Sequence, residues 1–311
     1  MNLYCRYADF LVEHFSFKVQ KLPVDAGFTC PNRDGTKGKG GCTYCNNRSF
    51  HPDYGKALIS IKEQLEAGKK FFESQYTSMK YLAYFQSYTN TYAPVEVLKD
   101  KYEEAMKVKD VVGLVISTRP DCLKEEVIDL LQMLNQRTFV MVEIGVESIV
   151  DRELREVNRC HTFVDSEDAI RRVALRQIPV CAHLIFGLSP TFSAEETARK
   201  ISSLPVSSVK IHQLQILKGT KMSQTYSDLL LNDDDGSRVQ ERYPCLKLDN
   251  YLDALTTFIA HLRPDISLER MVSQSPASLL VAPKWGLKPD TFEHLLQKRL
   301  LEQKVYQGMF Y

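Results

Sequence analysis

The chain of 311 residues has little of several features that would place it in a special class of protein. No apolar run reaches the roughly 18 residues needed to cross a bilayer, and Arg6, Asp9, Glu13 and His14 interrupt the apolar positions of the first segment. We therefore expect a cytoplasmic protein without a membrane span. Lys and Arg number 40 against 39 Asp and Glu, a net charge of +1. This balance excludes an overall field that attracts nucleic acid, so any basic binding surface has to be local.

Disulfide scaffolds and common phosphate-binding motifs are also missing. Eight cysteines in 311 residues are too few for a disulfide framework, and in a reducing compartment clustered cysteines more often bind metal or do chemistry. The glycine-rich stretch GTKGKGG at 35–41 matches neither the phosphate loop nor the dinucleotide fingerprint Gly-x-Gly-x-x-Gly. There is no internal repeat and no low-complexity tract.

Short apolar runs alternate with longer helix-like stretches from about residue 19. The runs cover residues 19–24, 80–85, 111–117, 138–144, 179–185 and 209–214. The helix-like stretches cover residues 57–76, 95–108, 123–135, 164–176 and 193–203. This alternation predicts parallel strands joined by helices. Six such units are fewer than the eight of a closed barrel, so we predict an α/β fold, a partial (βα)6 TIM-like barrel, with its chemistry at the carboxyl ends of the strands.

The alternation of strands and helices ends after residue 217, where a polar turn at 233–235 is followed by predicted helices at 246–263 and 291–304. We therefore expect a barrel domain over residues 1–220. Residues 221–311 are predicted to form an α-rich C-terminal extension packed on that barrel.

Three cysteines, Cys30, Cys42 and Cys45, lie close together in TCPNRDGTKGKGGCTYC, directly after the first predicted strand. A structural zinc site has four protein ligands, whereas an iron–sulfur cluster held by three cysteines leaves one iron open. Candidates for a fourth zinc ligand are His51, Cys5, Cys122 and Cys160. A redox pair at Cys42 and Cys45 alone is disfavoured, because it gives no role to Cys30 or to the glycines.

This cysteine pattern resembles that of the radical S-adenosylmethionine (SAM) superfamily. The commonest spacing there is Cys-x3-Cys-x2-Cys, whereas eleven residues separate the first two cysteines here. The wider gap resembles a subgroup with the loop CPNRDGTxGxGGCxxCN, related to the Elongator catalytic subunit and to oxygen-independent coproporphyrinogen oxidase. Further segments similar to this subgroup are YFQSYTNTY at 84–92, STRPDCL at 117–123, EIGVES at 143–148, NRCHT at 158–162, HLIFGL at 183–188, KIHQLQILKGT at 210–220 and LLVAPKW at 279–285.

The resemblance implies a 4Fe-4S cluster on the three cysteines and SAM at the open iron, cleaved reductively to a 5′-deoxyadenosyl radical. It also implies roles for residues around SAM. Tyr44 is expected to flank the adenine, while Ser117 and Glu147 suit the ribose and amino groups. Arg159 is expected to hold the carboxylate, for which a guanidinium fork is well shaped. The same chemistry requires a reducing partner such as flavodoxin or ferredoxin.

Polar residues on the predicted strands are candidates for the substrate side of the site. Glu143 and Glu147 share a strand face with Gly145, and two acids in a barrel lumen need a cationic partner or a polar ligand. Lys210 and His212 lie on one face of the last predicted strand. We select Gln86, Glu143, Lys210 and His212 as catalytic candidates, with Tyr88, Asn90, His183 and Gln215 as further substrate-side candidates.

Three functions stay open at this point. The first is a radical enzyme that acts on tRNA and remodels the 5-substituent of the wobble uridine, for example carboxymethylaminomethyl towards aminomethyl, as the Elongator resemblance implies. Basic residues that could follow phosphates are Arg33, Lys37, Lys39 and Arg48 near the cysteines and Lys284, Lys288, Lys298, Arg299 and Lys304 later in the chain. The second is a radical enzyme for a small molecule or porphyrin, which predicts an apolar pocket without a basic rim. The third is a non-enzymatic iron–sulfur or zinc-binding module.

Overall fold

A computed structural model describes residues 2–49, 58–73, 79–233 and 235–311. The strands are β1 Val19–Val24, β2 Lys80–Phe85, β3 Val111–Thr118, β4 Phe139–Glu147, β5 Val180–Phe186, β6 Ser208–Gln213, β7 Ile216–Leu217, β8 Ser267–Arg270 and β9 Leu280–Ala282. A curled half-barrel sheet has the order β1-β2-β3-β4-β5-β6-β8, all parallel, and β7 pairs antiparallel with β9. The predicted partial barrel is confirmed, and its first six strands are those expected from the sequence.

The helices between the strands of the half-barrel pack on the outer face of the sheet, whereas the first helix of the chain precedes β1. The helices are α1 Tyr7–His14, α2 Ile61–Glu73, α3 Val95–Met106, α4 Glu125–Asn135, α5 Asp151–Glu156, α6 Phe163–Leu175, α7 Ala194–Ser202, α8 Lys221–Leu231, α9 Ser237–Arg242, α10 Leu248–His261 and α11 Pro289–Glu302. The helix predicted over 57–76 begins later than expected, at Ile61, and its residues 57 and 74–76 fall outside the described residues. The sequence pattern did not indicate α1, α5, α8 or α9, of which α5 and α9 have only six residues each. No helix within the described ranges is long and apolar enough to cross a bilayer.

A seventh parallel strand corrects the expected count of six units. β8 lies within the segment 221–311 and pairs with β6, with Val209 opposite Leu268. The register then shifts, so that Arg270 and not Glu269 stands opposite Lys210. Four residues are too few to show a strand periodicity in the sequence, which is why this strand was missed.

The amino-terminal end of the barrel lumen is filled by α1. Its Phe10 belongs to a buried apolar cluster with the lumen side chains of Leu82, Val115 and Met141, and the Tyr7 hydroxyl lies 3.6 Å from the Met141 sulfur. Burying one such large apolar side chain stabilises the fold by roughly 1.5–3 kcal/mol. The lumen is therefore closed at this end, and access is left to the opposite end, where the strands finish.

Candidate active site

One cavity at the carboxyl ends of the strands is lined by all eleven of the predicted site residues. They are Cys30, Cys42, Cys45, Tyr44, Gln86, Ser117, Glu143, Glu147, Arg159, Lys210 and His212. Parallel strands finish on the same side of a sheet, so side chains and loops of different βα units meet there. His183, Tyr88 and Gln215 line the same cavity. Asn90 is instead a structural residue whose side-chain amide donates to the carbonyls of Phe85 and Ser117.

The loop after β1 folds back on itself and carries the three cysteines to the cavity wall. The Gly41 amide donates to the Asn32 carbonyl at 2.8 Å, and the Cys45 amide donates to the Cys42 carbonyl at 3.0 Å. A side chain at Gly38 is excluded, because its Cβ would lie 2.1 Å from the Asn32 side-chain oxygen. All three thiols are free, as cluster ligands have to be.

The spacing of these sulfurs fits a cluster better than a single ion. Within the described part of the chain, the group of three candidate ligand atoms that lie within 4.8 Å of one another is Glu143, Cys181 and Glu269, and the three cysteines do not form such a group. Three sulfurs on one tetrahedral zinc ion would lie about 3.8 Å apart, since each zinc–sulfur bond is about 2.3 Å. Wider spacing suits a polynuclear iron–sulfur cluster.

No fourth zinc ligand is provided by the cysteines considered for that role. The Cys5 carbonyl accepts from the Leu268 amide at the start of β8, and neither Cys5, Cys122 nor Cys160 lines the cavity. The Cys160 thiol lies 3.2 Å from the Asn32 side-chain oxygen and braces the loop from behind. His51 falls outside the described residues.

Arg159 is buried beside the cysteine loop, and protein atoms contact each of its three nitrogens. Its Nη2 donates to the Gly145 carbonyl at 2.8 Å and lies 3.1 Å from a Glu147 carboxylate oxygen. Its Nε lies 2.9 Å from His161 Nε2, and its Nη1 lies 3.7 Å from the Cys42 sulfur. A positive charge therefore lies beside the Cys42 sulfur. The predicted contact of Arg159 with a cofactor carboxylate stays a prediction.

Glu147 links this arginine to the substrate side of the cavity. It adopts a left-handed backbone (φ 66°) where the register between β4 and β5 shifts. Its second carboxylate oxygen lies 2.9 Å from His183 Nδ1. Burial alone raises the pKa of Glu147, but the charges of His183 and Arg159 outweigh burial and lower the pKa to about 2. Glu147 is therefore an anion at neutral pH.

Deeper in the lumen, the Glu143 carboxylate accepts hydrogen bonds from three side chains. Lys210 Nζ lies 2.8 Å from one of its oxygens, and the Tyr84 hydroxyl and Ser117 Oγ donate to the other at 2.8 and 2.9 Å. Burial raises the Glu143 pKa, but the charges of Lys210 and Lys21 hold it well below its usual range. The expectation that the two lumen acids need cationic partners is confirmed.

The same network joins the two edges of the half-barrel. Lys21 on β1 pairs with Glu269 on β8 at 2.7 Å, and Lys210 lies 3.7 Å from Glu269. These two lysines already neutralise the carboxylates of the Glu143, Cys181 and Glu269 group, so this group does not attract a metal cation.

His212 lies over this network and is neutral. Its ring is 4.8 Å from the His183 ring between centroids, and its Nδ1 lies 2.8 Å from the Gln213 carbonyl. Because a carbonyl only accepts, Nδ1 carries the proton and Nε2 is left as an acceptor. Burial holds the pKa of His212 well below its usual range.

Three buried polar atoms in the cavity wall lack a hydrogen-bond partner in the described ranges: Tyr44 Oη, Arg119 Nη1 and Arg270 Nε. Buried polar groups in proteins are nearly always paired, so these atoms indicate that a polar molecule fills the cavity. With the three free thiols, they fit a cluster and a zwitterionic nucleoside cofactor such as SAM.

Sequence reasoning missed five residues of this site: Lys21, Tyr84, Arg119, Glu269 and Arg270. Tyr84 and Arg119 lie in the segments 84–92 and 117–123 that resemble the subgroup, which was a usable signal. Lys21 stands out as the one charged residue of β1. Glu269 and Arg270 lie on the undetected β8, and nothing in the local sequence distinguishes them from surface charges.

A second cavity opens beside the cysteine loop and shares Arg33, Cys42, Cys45 and Tyr88 with the first. Four cationic side chains line it, those of Arg33, Lys39, Lys218 and Lys221, and among the described residues no acidic side chain does. The Tyr88 ring is exposed at the mouth, and the Arg33 guanidinium lies 5.9 Å from its centroid. We call this second cavity the basic rim.

Known protein families and individual proteins are similar to this chain in sequence. The Radical SAM superfamily profile matches residues 30–201, and the Radical SAM C-terminal domain profile matches residues 206–302. The Bacillus subtilis protein YtqA is 35% identical over 304 residues, which cover 97% of this chain and 90% of YtqA. The Escherichia coli protein YhcC is 35% identical over 278 residues, which cover 88% of this chain and 85% of YhcC.

Two solved structures have the same fold at low identity. Methanocaldococcus infernus Elp3, solved with an N-terminal deletion, has a TM-score of 0.66 and 17% identity, and the match covers 94% of this chain but only 64% of Elp3. TsrM from Kitasatospora setae, a radical SAM methyltransferase solved with tryptophan and a SAM analogue, has a TM-score of 0.50 and 14% identity, over 85% of this chain and 56% of TsrM. Matched by the superfamily profile over more than half its length, the chain belongs to the radical SAM superfamily of enzymes, whose cofactors are a 4Fe-4S cluster and SAM.

Proposed function

We propose that this protein modifies tRNA at the wobble uridine and converts a 5-carboxymethylaminomethyl substituent towards 5-aminomethyl. The observation that carries the proposal is the connection between the cysteine-lined cavity and the basic rim. The cavity is suited to radical chemistry, and the rim is suited to a polyanion. The two share part of their lining, so a nucleotide at the rim lies next to the reacting centre.

Cys30, Cys42 and Cys45 would hold the cluster, and Tyr44 and Arg119 have polar atoms free for SAM. When bound, the cluster and SAM supply a 5′-deoxyadenosyl radical for hydrogen-atom abstraction. Arg119 is suited to the cofactor carboxylate, since its Nε and Nη2 hold Asp121 at 2.9 and 3.0 Å while its Nη1 is free. The half-barrel excludes water at its amino-terminal end, where α1 closes the lumen, and this protects a radical from side reactions.

The basic rim supports an RNA substrate. Lys39, Lys218 and Lys221 have no ion-pair partner within the described ranges, so their charges are available for phosphates. Tyr88 adds an exposed aromatic face on which an unstacked base can stack, as is usual for single-stranded loops of RNA. An anticodon loop has both features.

The other two functions receive less support. A small-molecule or porphyrin enzyme predicts a pocket without a basic rim, which does not describe this cavity. A non-enzymatic module is disfavoured by the superfamily to which the chain belongs and by the unpaired polar atoms in the wall.

The test is anaerobic reconstitution with iron and sulfide, reduction with dithionite, and an assay of 5′-deoxyadenosine formed from SAM. Wild type is expected to form it, and Cys30→Ala, Cys42→Ala and Cys45→Ala are expected to form none. The same reactions with tRNA that carries 5-carboxymethylaminomethyluridine are then digested and their nucleosides analysed by mass spectrometry. Appearance of 5-aminomethyluridine supports the proposal. Formation of 5′-deoxyadenosine with unchanged tRNA nucleosides would refute the tRNA substrate but leave the radical chemistry intact.

A further inference from the structure

Arg270 is a cation in the cavity wall that the protein itself does not neutralise. The structure contains no hydrogen bond or ion pair of its guanidinium to any described residue, and its buried Nε has no partner. Three other arginines line this cavity. Arg159 and Arg119 are paired with Glu147 and Asp121, and Arg33, at the border with the basic rim, donates to the Cys45 carbonyl at 3.0 Å. An unpaired guanidinium with a desolvated nitrogen is costly, so this arrangement indicates a missing anionic partner.

The Arg270 side chain lines the cavity because of the backbone geometry of β8. Consecutive residues of a strand normally point to opposite faces. The register shift after Val209 leaves Glu269 out of the β6–β8 pairing, as in a β-bulge, which redirects a side chain. As a result, Glu269 reaches Lys21 and Lys210 in the lumen while the next residue, Arg270, also lines the cavity.

Arg270 lies on the substrate side of the cavity, away from the cluster ligands. Arg270 stands opposite Lys210, the partner of Glu143, in the β6–β8 pairing, whereas Arg159 contacts the Cys42 sulfur at 3.7 Å. An anion held by Arg270 therefore belongs to the substrate and not to a cofactor ligated at the cysteines.

The charge balance of the deep lumen supports the same conclusion. Three cations, Lys21, Lys210 and Arg270, face two carboxylates, Glu143 and Glu269. The nearby His212 is neutral, and Glu147 is paired with Arg159 and His183. One positive charge is left over, and it is that of Arg270.

We propose that Arg270 binds a carboxylate of the substrate and thereby selects substrates with a carboxyl-terminated side arm. This inference rests on the proposed function, in which the carboxymethylaminomethyl substituent has such a carboxylate. A guanidinium fork binds a carboxylate through two parallel hydrogen bonds. Lysine in its place keeps the charge but loses the fork, and glutamine loses the charge.

The experiment compares two anticodon stem-loops as substrates of the reconstituted enzyme, one with 5-carboxymethylaminomethyluridine and one with its neutral carboxamide. Wild type is expected to lose about 10- to 100-fold in kcat/KM on the carboxamide, the range of a charge-assisted hydrogen bond. Arg270→Gln is expected to process both equally poorly, and Arg270→Lys to discriminate less than wild type. Arg171→Gln, on the exposed face of α6, is the matched control and should discriminate as wild type does. Iron content verifies that each variant holds its cluster.

A second measurement separates this inference from the tRNA proposal. Binding of N-methylglycine, which has the same amine and carboxylate as the substituent, is measured by saturation-transfer NMR with wild type and Arg270→Gln. If wild type does not process either stem-loop, the tRNA proposal fails, and Arg270-dependent binding of N-methylglycine still supports the carboxylate site. The inference is overturned if N-methylglycine binds both proteins alike or neither. It is also overturned if Arg270→Gln retains the discrimination but loses SAM affinity, because Arg270 would then serve the cofactor.

Discussion

The Nε of Arg159 donates a hydrogen bond to Nε2 of His161 at 2.9 Å. His161 Nδ1 lies 3.0 Å from the Thr162 carbonyl, which only accepts, so the imidazole proton is on Nδ1 and Nε2 has a free lone pair. Burial and the charge of Arg159 lower the pKa of His161 to about 4. A neutral histidine thus orients the guanidinium that contacts Cys42.

This pair predicts a pH dependence of stability. The pKa of His161 is lower in the folded protein than the usual 6.5, so the unfolded chain takes up its proton first as the pH falls. The stabilisation is fully present above pH 6.5 and is lost between about pH 6.5 and 4, to an extent of about 3 kcal/mol. Urea unfolding of wild type and His161→Gln at pH 7 and pH 5 measures it. Glutamine accepts from Arg159 but does not titrate, so its stability should fall less over this interval, and equal slopes for the two proteins would contradict the assignment.

The Lys210–Glu143 pair predicts strong coupling in the lumen. Lys210→Met leaves the buried Glu143 carboxylate without its nearest cation and should reduce the free energy of unfolding by about 3–5 kcal/mol. In the double variant Lys210→Met/Glu143→Gln neither charge remains, so the loss should be smaller than the sum of the single losses. Urea denaturation of wild type, Lys210→Met, Glu143→Gln and the double variant gives the four free energies of unfolding that this comparison needs. Additive losses would show that the two side chains do not interact.

The close packing around Gly145 predicts that a side chain at this position disturbs the Arg159–Glu147 ion pair and thereby SAM binding. A Cβ there would lie 2.5 Å from Arg159 Nη2 and 2.7 Å from a Glu147 oxygen, so Gly145→Ala has to separate this ion pair. We expect cluster content to stay near wild type while SAM affinity, measured by equilibrium dialysis, falls at least about tenfold, equivalent to about 1.4 kcal/mol. Ile144→Val, one position along β4 in the main apolar core, is the control. SAM affinity that is unchanged in Gly145→Ala would show that Arg159 and Glu147 do not serve SAM.

The basic rim predicts salt-dependent RNA binding. Lys218→Ala and Lys221→Ala should each weaken tRNA binding and reduce the slope of log K against log salt by about 1. Lys107→Ala is the control, because this exposed lysine follows α3 at the amino-terminal edge of the sheet, opposite the rim. Filter binding between 50 and 200 mM salt, the range over which phosphate contacts act strongly, measures the slopes. Equal slopes for Lys218→Ala and Lys107→Ala would exclude phosphate contacts at the rim.

The fold was largely predictable because its strands are long and buried. β1 and β2 have the predicted boundaries, and the carboxyl end of β4 extends three residues further than expected, to Glu147. The strand that was missed, β8, has four residues, and its identity depends on pairing with β6. Its detection therefore required the tertiary structure.

The candidate site was likewise predictable from the sequence only in part. The cysteine loop was recognisable because its three thiols lie within sixteen consecutive residues, Cys30 to Cys45, in a pattern that resembles the radical SAM superfamily. The partners of the polar strand residues were not recognisable from any local pattern. Glu143 and Lys210 were selected separately, and their ion pair joins positions 67 residues apart.

By itself, the sequence determined the parallel half-barrel and the group of three candidate cysteine ligands, since hydrophobic periodicity and short spacings are local properties of the chain. Only the tertiary structure decided which charges neutralise each other and which one remains. Lys21, Lys210 and Arg270 are equivalent as isolated basic residues, and they differ because folding brings carboxylates to the first two and leaves the third facing the cavity. Ion pairing depends on distance and burial, and both arise from contacts between residues that are remote in the chain.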